Sequence, residues 1–129
     1  MEICDGVDND CDGVTDNAQP PPGAIAVTLD GSSIAWGAIP AAETYDVVGG
    51  DIGLLSSSGG NFALATQSCV LNDTTTNPLL LPASPPAGHG WWYLVRGSNC
   101  GSGGTFNEGN NSQSGSRDAG INSAPAHCP

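Results

Sequence analysis

Thirteen carboxylates against two arginines and no lysine give this 129-residue chain a formal charge of −11. That balance excludes nucleic acid as a natural partner, because nothing on the chain neutralises phosphates, and it opposes an anionic membrane surface. Charged residues are only 12% of the chain, about half the share in ordinary soluble domains; Gly, Ser, Thr, Asn, Pro and Ala take their place, a surface suited to secreted proteins and to wall or filament components.

The first seventeen residues hold six of the acids: Glu2, Asp5, Asp8, Asp10, Asp12 and Asp16. Like charges this close repel and raise one another's pKa unless a multivalent cation bridges them. Asp8, Asp10 and Asp12 alternate and then meet Gly13, the D-x-D-x-D-G opening of a calcium loop. The ligands expected for calcium (Ca2+) are the carboxylates of Asp5, Asp8, Asp10, Asp12 and Asp16 together with the Val14 carbonyl. Hard oxygen ligands without a nearby histidine favour calcium over zinc or copper. Position 12 of the loop is Gln19 rather than glutamate, and Pro20, Pro21 and Pro22 follow, so no exiting helix is expected. The segment repeats every seven residues, Cys4-Asp5-Gly6-Val7 and then Cys11-Asp12-Gly13-Val14, which suggests two similar turns tied by a short Cys4–Cys11 disulfide. The competing reading is an acidic, glycine-containing disordered linker. E-x-C-D-G-x-D-N-D-C-D-G-x-x-D resembles the MopE-type metal-binding motif of secreted bacterial proteins and, more distantly, the thrombospondin type 3 repeats. The resemblance covers residues 2–16 and implies a calcium-binding loop in an extracellular protein.

After this motif (residues 1–18), Gln19 to Gly23 reads as a stiff, polyproline-like linker leading into one domain over residues 24–129. Ala24 to Leu29 is a strand, Asp30-Gly31 a hairpin turn, and Ser33 to Trp36 its partner. Glu43 to Val48 alternates and ends in Gly49-Gly50. Phe62 to Val70 reads as a strand, though Ala-Leu-Ala could begin a helical turn. Leu79 to Leu81 is a short buried run stopped by Pro82, Pro85 and Pro86. Trp91 to Gly97 is the strongest strand, with Trp91, Tyr93 and Val95 on one face and Trp92, Leu94 and Arg96 on the other. Cys100 to Gln113 is a loop or exposed hairpin, and Ser114 to Ile121 reads as a last strand with Arg117 and Asp118 outside. Short strands at this spacing without a helical period predict an all-β sandwich.

Residues 34–49, I-A-W-G-A-I-P-A-A-E-T-Y-D-V-V-G, resemble strands B and C of a fibronectin type III domain, and W-W-Y-L-V-R-G-S-N-C from Trp91 resembles its strand F. The resemblance spans about residues 24–121 and implies an immunoglobulin- or fibronectin-like β-sandwich. Trp36, Tyr45, Trp91, Tyr93 and Val95 are then core, while Trp92, on the opposite face from Trp91, is the candidate for stacking on a sugar.

Five cysteines without a C-x-x-C pair predict disulfides, an oxidising compartment and one leftover thiol. For the later three, Cys69–Cys100 competes with Cys100–Cys128. Asn72-Asp73-Thr74 and Asn110-Asn111-Ser112 fit the glycosylation sequon. No apolar run approaches the roughly 20 residues of a membrane span. No secretory leader precedes the motif, so Met1 is expected to open a processed product, an expressed fragment or one module of a longer array. No catalytic constellation emerges: His89 sits between glycines beside Pro85 and Pro86, and the acids outside the motif fall at turns (Asp30, Asp51, Asp73) or on strand exteriors (Glu43, Asp46). The expected function is non-enzymatic, that of a secreted calcium-binding module joined head-to-tail with others of its kind. Adhesion through carbohydrate is the alternative, and an accessory domain of a secreted hydrolase a third reading.

Overall fold

The computed structural model describes residues 2–17, 21, 25–81, 83–109 and 111–129. The Asp30-Gly31 turn joins β1 (Val27–Leu29) to β2 (Ser33–Trp36), with Val27 opposite Trp36. It closes because the Asp30 carboxylate accepts the N–H of Ser32 at 3.0 Å and of Ser33 at 2.6 Å while Gly31 takes a φ of +90°. Those two bonds, and then the Ser33 hydroxyl, hold the Asp30 pKa down at about 2 by favouring the charged form. A folded-state pKa below the unfolded value of about 3.9 stabilises the turn above that pH, and the contribution is lost as pH falls through about 2. An NMR titration of the Asp30 carboxyl is expected to show that low midpoint, with the Ser32 and Ser33 amides moving in step; an ordinary aspartate midpoint would mean these bonds do not close the turn.

The remaining elements are β3 (Thr44–Asp51), α1 (Ile52–Ser57), α2 (Phe62–Ala65), β4 (Ser68–Thr74), β5 (Leu79–Leu80), β6 (Trp91–Asn99), β7 (Ser102–Gly103) and α3 (Arg117–Ser123). All pairings are antiparallel. They make a three-stranded sheet ordered β1-β2-β5 and a four-stranded sheet ordered β4-β3-β6-β7. The all-β expectation therefore holds at the level of two antiparallel sheets with few helices.

Alternation along β3 and β6 sorts the core. Tyr45, Val47 and Val95, with half-buried Tyr93, pack against Ile34 and Trp36 of the smaller sheet. The opposite face presents Val48, Trp92 and Leu94 to a second cluster built from Phe62, Phe106, Ile121 and Cys128. The larger sheet is thus covered on both faces, and β3 is buried without interruption from Tyr45 to Gly50, as befits a strand enclosed on two sides. The helical layer sits so close that a Cβ at Gly50 would collide with the Ala65 carbonyl.

Several expectations are corrected. Phe62–Ala65 is helical because Asn61 caps it, its side chain accepting the Ala63 and Leu64 N–H groups. Ile52–Ser57 is capped likewise by Asp51. Ser114 to Ile121, expected as a strand, instead leads into α3 (Arg117–Ser123), which buries Ile121 against β3 rather than pairing with a strand edge. Trp91, expected in the core, is 40% exposed and lines an open groove. Asp46, expected on a strand exterior, is 2% exposed. It lies opposite Arg96, whose Nε donates to Asp46 Oδ2 at 2.8 Å. The other Asp46 oxygen accepts the Asp73 N–H at 2.9 Å, Arg96 also bonds Asn122, and its guanidinium lies 4.9 Å over Phe106.

The cysteines pair differently from either expectation: Cys4 with Cys100, and Cys69 with Cys128, leaving Cys11 free and exposed. Register explains why Cys69 and Cys100 do not meet. Cys69 is level with Val48, and Val48 with Leu94, so Cys100 lies six residues further along, about 20 Å at strand rise and far beyond bridging distance. Cys128 instead packs on the helical face beside Cys69. Two disulfides fit an oxidising, extracellular compartment, and among the described residues no helix is long and apolar enough to cross a membrane.

Candidate metal centre

The N-terminal loop is built from carboxylates that accept backbone N–H groups. Glu2, 4% exposed, is its hub: Oε1 accepts the Asp10 N–H at 2.9 Å and Oε2 the Asp16 N–H at 2.8 Å. Asp8 spans the second turn, its oxygens accepting from Asp12 at 3.1 Å and Gly13 at 2.8 Å. The seven-residue repeat is realised as two equivalent turns. Asp5 accepts from Val7 at 2.9 Å and Asp12 from Val14 at 2.8 Å, and Gly6 and Gly13 both take positive φ, which glycine adopts without strain. Asp16 accepts from Gly6 at 3.2 Å, tying the second turn back to the first. The amide of Asn17, and then the Val14 N–H, hold the Asp12 carboxyl below its usual pKa by favouring its charged form.

This folding gathers Glu2, Asp8 and Asp10, each with a carboxylate oxygen within 4.8 Å of the others. Oxygens bound to one calcium at 2.3–2.6 Å stand at most about 5 Å apart, so the three fit a shared ion. The donor set is wholly hard oxygen, which suits calcium or magnesium rather than a soft-ligand metal. Of the expected ligands, the group contains Asp8 and Asp10. Asp5, Asp12 and Asp16 lie outside that group, their carboxylates accepting loop N–H groups as those of Glu2 and Asp8 also do, and Val14 enters through its N–H. Glu2, which joins the gathered group, is not among the expected ligands because the D-x-D-x-D-G pattern starts at Asp8; its only sequence signal is its place at the head of the repeat.

Two attachments fix the loop to the sheets. Cys4 is bonded to Cys100, which occupies the two-residue turn between β6 and β7 with a φ of 49°. Pro21 is buried, and a Cβ at Gly97 would touch its ring at 3.3 Å. The linker expected over 19–23 falls within the described residues only at Pro21, and there it is docked rather than spaced away. Asn72 is exposed on β4, whereas Asn110 of the other sequon lies outside the described residues.

The aromatic expected to face a sugar does not. Trp92 packs edge-on against Phe62, centroids 5.3 Å apart. Trp91 is the exposed ring, beside Tyr93, Gln67 and Ser84 in a groove of about 560 Å³ floored by Gly49 and Gly50. His89 sits nearby, its Nδ1 2.9 Å from Asp51 Oδ2, and that contact, ahead of the Leu54 N–H, lowers the Asp51 pKa. Comparison of the chain with protein-family models, with curated proteins and with solved structures finds no match.

Proposed function

We propose that the protein is an extracellular, calcium-binding structural module in which the ion stiffens a joint between neighbouring copies. One observation carries this reading: Glu2, Asp8 and Asp10 converge within 4.8 Å on a loop without a cationic side chain, and that loop is bonded covalently to the β6–β7 turn. An ion there relieves the repulsion among the gathered carboxylates, and its binding energy adds to the stability of the loop and of whatever the loop touches. At a net charge of −11, copies repel one another until cations are shared or neutralise the contact, which makes assembly ion-dependent. The strand order supports the fibronectin type III-like reading, since β2 falls in one sheet while β3 and β6 are neighbours in the other, as strands B, C and F are in such sandwiches. The helical layer on the outer face is an addition to that plan.

Non-reduced protein is expected to melt about 10 °C higher in calcium at a hundredfold excess over Kd than in chelator, from the roughly 2.7 kcal/mol such binding supplies. Size by light scattering is expected to rise with it. Glu2→Gln with Asp10→Asn removes both responses, whereas Asp5→Asn, outside the gathered group, retains most of the thermal shift. Equal melting with calcium and chelator would end the metal reading, and a thermal shift in a strict monomer would end the assembly reading alone.

A second reading, a module that binds carbohydrate, draws on exposed Trp91 in its groove rather than on Trp92. Aromatic stacking with polar groups at the rim is how such sites are built, and Trp91→Ala would abolish glycan binding without touching the calcium response.

A further inference from the structure

We propose that the edge of β6 turned away from β3 docks an extended, lysine- or arginine-bearing segment of a partner polypeptide, which adds to the larger sheet as a further strand. The direction of the backbone groups decides which residues are available. The Ser98 carbonyl accepts the Glu43 N–H on the β3 side at 3.1 Å, whereas the Gly97 carbonyl accepts the Gly104 N–H on the β7 side at 2.8 Å. Peptide groups alternate in direction along a strand, so the N–H and C=O of Tyr93 and Val95 point with those of Gly97, away from β3. β7 pairs only with Ser98 and Asn99. Beyond Gly104 the chain leaves the edge: the Phe106 N–H goes to Asp118 and its carbonyl accepts from Arg117. Among the described residues no backbone group meets Tyr93 or Val95 on that side. A groove of about 490 Å³ lies there instead, walled by residues 25–27 on one side and Thr105 to Glu108 on the other.

Backbone donors and acceptors are obligatory hydrogen-bonding groups, and a row of them at two-residue spacing is matched by another extended backbone. Among the described residues nothing protects this edge. Trp91 to Val95 is W-W-Y-L-V, without charge or proline, and β6 pairs with β3 without a bulge. β4, the other edge strand of this sheet, by contrast pairs with β3 through two register shifts and has the C-terminal tail tied to it at Cys128, and irregular pairing is a usual defence of an edge strand.

Charge selects the occupant. The chain has no lysine, and both arginines are engaged, Arg96 with Asp46 and Arg117 with Glu108 at 3.2 Å. Among the described residues Glu108 is the one carboxylate lining the groove, and it is paired with Arg117, so no ion bridges a second copy there, and that copy meets the repulsion of an equal negative charge. A basic strand is attracted from a distance, and the mixed apolar and polar walls suit alternating apolar and basic residues.

Amide hydrogen exchange by NMR on the non-reduced protein tests this, with a short blocked peptide of alternating lysine and valine as the probe. In the free protein the Tyr93 and Val95 amides are expected to exchange at least about tenfold faster than those of Leu94 and Arg96, which face β3. Saturating peptide is expected to slow both by about tenfold or more. The same peptide N-methylated at alternate residues loses the effect, and Ala26→Trp, at an exposed position on the groove wall, weakens it. Protection already present in the dilute free protein would overturn the proposal, as would protection that grows with protein concentration alone, the signature of a second copy. Equal protection by a glutamate–valine peptide, or none by any peptide, would overturn it too. None of these outcomes depends on whether calcium binds.

Discussion

Removing the Cys69–Cys128 bridge, by Cys69→Ala with Cys128→Ala, is expected to lower the unfolding free energy by about 4 kcal/mol and the melting temperature by roughly 15 °C. The bridge spans 59 residues, and closing a loop of that size removes much of the unfolded chain's freedom. The native side adds to the effect. Cys128 is buried with Val48, Phe106 and Ile121, and α3, seven residues long without a side-chain bond at its N-cap, depends on that cluster to stay helical. The Cys4–Cys100 bridge closes a longer loop of 96 residues, yet its loss is expected to act differently. The loop it holds is mostly exposed, so Cys4→Ala with Cys100→Ala frees the N-terminus and abolishes any calcium response while the sheets still melt as a unit. Cys11→Ser, at an exposed and unbonded thiol, is the control and leaves stability within about 0.5 kcal/mol. Thermal unfolding of the three variants checks the ordering. A Cys69/Cys128 variant that melts with the parent would place the C-terminal layer outside the cooperative unit.

What could be read from the residues was whatever local chemistry decides. Asp30-Gly31 closes its turn with its own carboxylate, the alternation of β3 and β6 sorts their side chains correctly, and the seven-residue repeat becomes two matching turns. What could not be read depended on a layer that leaves no periodic trace. The helices are only four to seven residues long, too short for an amphipathic pattern; α1 and α2 form where Asp51 and Asn61 cap them, and α3 rests on the packing of Ile121. Once that layer exists, Trp92 is partly covered by it, Asp46 is buried, and Cys128 is carried to Cys69. The same limit applied to the acidic loop. Spacing indicates that carboxylates converge, but not which of them the fold brings nearest one another, and so Glu2 was not expected in the group it forms with Asp8 and Asp10.

The other large effect belongs to the buried pair within that layer. Asp46→Ala or Arg96→Met alone is expected to cost about 3–5 kcal/mol, because each strands the opposite charge inside the protein. The geometry is favourable for a pair this deep: 2.8 Å between Nε and Oδ2, both side chains under one-tenth exposed, with Asn122, the Phe106 ring and the Asp73 N–H completing the shell. Replacing both members, Asp46→Leu with Arg96→Met, leaves no stranded charge and is expected to cost well under the sum of the singles, since a buried ion pair and an apolar filling of similar volume are often close in energy. A double-mutant cycle by urea denaturation is expected to give a coupling of about 2 kcal/mol or more. Additive losses would mean that water reaches the pair and screens it. The consequence extends past stability. Arg96 connects β6 to Phe106 and, through Asn122, to α3, so it positions the wall that holds Thr105 to Glu108 beside the open edge. The double variant is therefore expected to fold yet to lose strand docking along Tyr93 and Val95, separating the pair's part in shaping that groove from its part in holding the core.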